Sequence, residues 1–79
     1  MIEQRLLKLL ATFHGMLPAR ELEEMNKLAS AGEPGVCLEN LCTQIYEYDV
    51  PVGADTLNEV RSLGASMGIN PKYWERLGS

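Results

Sequence analysis

The stretch LENLCTQIYEYDVP, Leu38 to Pro51, decides how this chain folds. Leu38, Leu41, Cys42 and Ile45 recur at three- and four-residue spacings, the period of one helix face, and the pattern then gives way to tyrosines and carboxylates ahead of a proline. Read backwards, the same face takes in Cys37, so a helix is expected from about Pro34 or Gly35 to about Tyr48, with Tyr48 at the margin of the inward face. A face this wide suits the central helix of a bundle. Asp49 and Pro51 end it, and the residue before a proline avoids the helical region, which pushes Val50 towards an extended conformation. Tyr46 and Tyr48, two positions apart, cannot share a helix face. The spacing sends Tyr46 or Glu47 outward, turns Ile45 and Tyr48 partly inward and leaves Asp49 at the exposed exit.

Helical periodicity continues on both sides. Ile2, Leu6, Leu9, Leu10 and Phe13 mark a first helix over Ile2 to Phe13, with Gly15 able to end it. Pro18 to Gly32 reads as a second helix, with Pro18 in its first turn, Glu21, Glu23 and Glu24 near its positive end and Lys27 nearer its negative end. Its apolar face is Leu22, Met25, Leu28 and Ala29. Leu57, Val60, Leu63, Gly64 and Met67 form a fourth pattern between Gly53 and Gly68. A glycine inside a helix weakens it by ~1 kcal/mol relative to alanine, so Gly64 marks either close helix packing or a bend. Asn70 and Pro71 start a short terminal helix that carries Tyr73, Trp74 and Leu77. Trp74 suits a lid on the core better than a binding anchor. The expectation is an all-α protein, a compact bundle of four to five short helices in a single domain over 1–79.

Composition narrows the function. At 79 residues the core must be small, yet 46% hydrophobic residues exclude a wholly disordered chain. A net charge of -4 disfavours nucleic acid or an anionic membrane as the direct partner, since both demand a basic footprint. No segment has the apolar length needed to cross a bilayer, and the beginning MIEQRLLKLL lacks the features of a signal peptide. Cys37 and Cys42, five apart on one helix, point in different directions and suit buried reduced thiols, as expected in the cytoplasm.

Motifs for catalysis are lacking. The two cysteines form no Cys-x-x-Cys pair and have no histidine beside them, so packing explains them better than a metal or redox site. His14, the single histidine, falls at a helix end where capping or partial burial accounts for it. The carboxylates follow no calcium-loop spacing, and no phosphate loop, dinucleotide fingerprint or nucleophile elbow is present. No catalytic residue, metal or cofactor is assigned, and the chain is not expected to be an enzyme.

Charge distribution carries more information. Between Lys27 and Arg61 there is no Lys or Arg, while Glu33, Glu39, Glu47, Asp49, Asp55 and Glu59 all fall in that interval. If Glu39, Glu47, Asp49 and Asp55 converge, their potential attracts a basic partner and raises its association rate. Tyr46 and Tyr48 add apolar area with a hydroxyl handle, the chemistry of binding hot spots. The same positions also suit an ordinary solvated helix face. Leu7 or Leu9 with Met16 and Leu17 form a candidate apolar strip for a homodimer, against a monomer that needs fewer assumptions.

From about Glu33 to Leu77 the chain resembles the MafI family of bacterial immunity proteins. The likeness rests on the order and spacing of the Gly-Glu-Pro turn, Leu-Glu-Asn-Leu-Cys, the Tyr-Glu-Tyr-Asp-Val-Pro end, Met-Gly-Ile and the Tyr-Trp pair. It implies a cytoplasmic protein of bacterial competition that binds and neutralises a cognate toxin stoichiometrically, often a nuclease-type effector whose basic groove an acidic inhibitor could cover. Glu39, Tyr46, Glu47, Asp49 and Asp55 are the partner-binding residues that surface chemistry selects. An acidic, non-enzymatic adaptor or regulatory module is the competing expectation.

Overall fold

In the computed structural model, which describes residues 1–77, the chain forms α1 (Ile2–Ala11), α2 (Ala19–Ser30), α3 (Pro34–Glu47), α4 (Ala54–Ser66) and the single turn α5 (Lys72–Glu75). Gly78 and Ser79, the end of the expected 1–79 domain, lie outside the described residues. The helices make a compact all-α bundle with Cα extents of 31 × 27 × 18 Å.

α3 is the central element. Cys37, Leu38, Leu41, Cys42 and Ile45 are its buried residues, and the helix packs against each of the other four. α1 contributes Leu6, Leu9 and Leu10, α2 contributes Leu22, Met25 and Ala29, and α4 contributes Val60 and Leu63 to the same cluster. Trp74 and Leu77 close one side, with Trp74 only 5% exposed. A Cβ on Gly64 would collide with the Trp74 ring, so this glycine permits close helix packing and does not mark a bend. The Cys37 thiol donates to the Met25 carbonyl at 3.2 Å, tying α3 to α2 through an otherwise apolar contact.

Three details depart from the sequence expectation. α1 ends at Ala11, because Thr12, Phe13 and His14 donate their N–H groups three residues back, to Leu9, Leu10 and Ala11, and tighten the last turn. Phe13 keeps its place in the core from that turn. Pro18 stands just before α2, at its N-cap, and not in its first turn. Tyr48 is 51% exposed and not turned inward: it is the C-cap of α3, just past Glu47, and the chain turns away at Asp49 immediately after it. Val50 packs against the core at that point instead.

The candidate dimer strip also shrinks. Leu9 and Leu17 belong to the core, which leaves Leu7 half-buried and Met16 exposed. His14 is exposed in the turn after α1, so burial does not explain it.

Candidate functional site

The end of α3 is built by one backbone motif. Val50 N–H donates to the Ile45 carbonyl at 3.0 Å and Asp49 N–H to the Tyr46 carbonyl at 3.1 Å, the paired bonds of a Schellman cap. The motif requires a left-handed residue between helix and exit, and Asp49 fills it with φ 52°. Gly68 after α4 occupies the equivalent place in a cap with the same two bonds, and Gly32 after α2 in one that keeps the return bond from Glu33 N–H to the Leu28 carbonyl, with φ of 68° and 81°. Asp49 is the sole non-glycine residue with positive φ among the described residues. Aspartate tolerates this conformation better than most side chains, but glycine adopts it without the Cβ penalty.

This cap sets the surface around it. Tyr46, 49% exposed, lies under the guanidinium of Arg76, whose Cζ is 3.8 Å from the ring centroid. Tyr46, Asp49, Val50, Pro51 and Arg76 line a shallow recess of about 170 Å³. Glu47, in the last turn, is exposed, as is Tyr48 beside it. The surface therefore combines two half-exposed rings, two carboxylates and one guanidinium.

Of the five residues selected from sequence, the structure brings Tyr46 and Asp49 to one recess, with Glu47 next to them in the chain. Glu39 lies two helical turns earlier, about 10 Å along the α3 axis, and lines a different recess near the start of the helix. Asp55 is in the first turn of α4 and lines a groove of about 330 Å³ beside α1, where Arg5, Lys8 and Glu59 are its charged neighbours. Arg5 makes two 3.0 Å hydrogen bonds to the Glu59 carboxylate and a third, at 3.1 Å, to the Ser62 hydroxyl. These bonds hold the Glu59 carboxyl below its ordinary range, with the charges of Arg5 and Lys8 adding to the effect and partial desolvation opposing it.

Arg76 and the Arg5–Glu59 pair were not foreseen from the sequence. Arg76 is 30 residues from Tyr46 and Arg5 is 54 from Glu59. Local periodicity has no signal at such separations.

The thiols have no exposed chemistry. Burial pushes Cys37 up to about 11 and Cys42 up to about 12, the latter with Arg76 opposing the rise and Glu39 adding to it. Thiolate, the reactive form, is thus scarce at neutral pH. Among the described residues no three His, Cys, Asp or Glu side chains are grouped as metal ligands would be, and no helix is long and apolar enough to cross a membrane.

No protein-family model, no curated protein and no solved structure matches this chain.

Proposed function

We propose that this chain is a non-catalytic binding protein of the immunity class, which neutralises a cognate bacterial toxin through the C-terminal end of α3. Asp49 carries the reading: a carboxylate is kept at φ 52°, on the surface, where glycine serves in both equivalent caps of the same chain. Strained backbone positions concentrate at functional sites, because there the side chain is worth its conformational penalty. The half-exposed Tyr46 and Tyr48 beside it supply the aromatic area that binding hot spots use. The MafI resemblance of the same segment, Tyr46 to Pro51, points to the same function.

In this mechanism Arg76 restrains the Tyr46 ring before contact, which lowers the ordering cost of association. Glu47 and Asp49 steer a basic surface, such as the substrate groove of a nuclease-type toxin, and occupancy of that groove excludes nucleic acid. Inhibition needs no cofactor or turnover and takes place in the cytoplasm.

The test begins by capturing the toxin from the source bacterium with the wild-type chain and restoring growth of toxin-expressing cells by co-expression. A Glu47→Gln, Tyr48→Ser, Asp49→Asn variant keeps the cap, since asparagine also accepts the left-handed conformation. It is expected to lose rescue and to associate at least about tenfold more slowly at low salt, whereas Asp55→Asn keeps rescue. Full rescue by the folded triple variant would remove the α3 end from the mechanism. Capture of a partner with no toxicity would remove the immunity reading.

A further inference from the structure

At the opposite end of α3, where α2 and α4 terminate, lies a broad recess of about 540 Å³. Its walls include Pro34, Val36, Met67 and Ile69, and Val36 is 48% exposed, one of few large apolar side chains left open to solvent. Glu33 and Glu39 are its ionisable residues, and neither makes an ion pair or side-chain hydrogen bond with another described residue. The turns at Gly32 and Gly68 bring the negative poles of α2 and α4 to the same place. The positive pole of α3 opposes them, but Pro34 removes one of its donors and Glu33 stands directly before it. Two carboxylates and two negative helix ends outweigh one positive end, and no Lys, Arg or His lines the recess.

We infer that this recess is a docking site for a cationic peptide segment of a protein partner, one that carries Arg or Lys next to an aliphatic residue. Charge complementarity selects the sign, and the apolar walls select a peptide. The methylene stem of Arg or Lys lies along Val36 and Met67 while its head group reaches the carboxylates, the division of labour such side chains adopt at apolar surfaces. A neighbouring leucine or isoleucine packs on Pro34, since Ile69 beneath is itself only 8% exposed. The site is independent of the toxin reading, because its test needs no toxin and involves none of Glu47, Tyr48 or Asp49.

The experiment is a titration of the full chain with acetyl-Ala-Arg-Leu-Lys-Ala-amide, followed by amide chemical shifts at low salt. Shifts confined to Gly32–Glu39 and Met67–Asn70 are expected. Affinity should fall at least about tenfold in a Glu33→Gln, Glu39→Gln variant, and it should also fall in Val36→Ser, with the spectrum of the rest of the chain unchanged. A control peptide with citrulline and norleucine in place of Arg and Lys should give no shifts. Shifts located elsewhere, undiminished affinity in both variants, or equal binding of spermidine would each overturn the proposal, the last by showing that charge alone is read.

Discussion

A Cβ at residue 64 would land on the indole of Trp74, which is only 5% exposed. Gly64→Ala gains ~1 kcal/mol of helix propensity but overpacks the α4–α5 contact by ~1–3 kcal/mol. We expect a net loss of about 1 kcal/mol in urea unfolding, with a shift in tryptophan emission as the ring is displaced. A more stable variant would mean that α5 yields easily. Asp49 presents the opposite case, a side chain where none is preferred. Asp49→Gly should raise stability by about 0.5–1 kcal/mol and Asp49→Ala should lower it, both read from thermal melts. If glycine gave no gain, strain at residue 49 would not be part of the argument for function.

At the scale of elements, helix ends repeat one solution. α2, α3 and α4 all close with a left-handed residue and a return bond to the helix, and this makes the short turns that let successive helices pack. The α1–α4 contact is different, since Arg5 and Glu59 join these helices at their solvent edge. Because folding lowers the affinity of Glu59 for a proton, the pair stabilises fully above the ordinary carboxyl value near 4.5, and the contribution fades as pH falls through the lower folded value. The stability gap between wild type and Glu59→Gln should therefore be constant at neutral pH and shrink in acid. High salt should also narrow it, because both side chains remain over a third exposed, at 39% and 36%. A gap that persisted when Glu59 is protonated in both states would have to come from packing.

For the molecule as a whole, α3 is the axis on which every other helix rests. Cys37 and Cys42 are fully buried on that axis, so a reagent in solution reaches either thiol through opening of the bundle. Modification by an aromatic disulfide should be slower by at least about a thousandfold in the native chain than in the denatured one, and should accelerate with urea as unfolding does. The two thiols should react together. Faster reaction at Cys42 alone would reveal local release of α5, which packs against α3 and holds the Arg76 charge near that thiol.

The helices and the inward faces were legible in the sequence. Leu38, Leu41, Cys42 and Ile45 announce a central helix, and Leu6, Leu10, Met25, Val60 and Leu63 announce its partners, because burial repeats every three to four residues along one chain segment. The exposed tyrosine-carboxylate end was legible too, except that periodicity alone placed Tyr48 inward. What the tertiary structure decided is which distant residues meet. It laid Arg76 over Tyr46, bonded Arg5 to Glu59, and distributed Glu39, Asp49 and Asp55 among separate recesses. Helix propensity and capping depend on neighbours within about one turn, whereas the relative placement of side chains on different helices follows from packing angles set by the whole core.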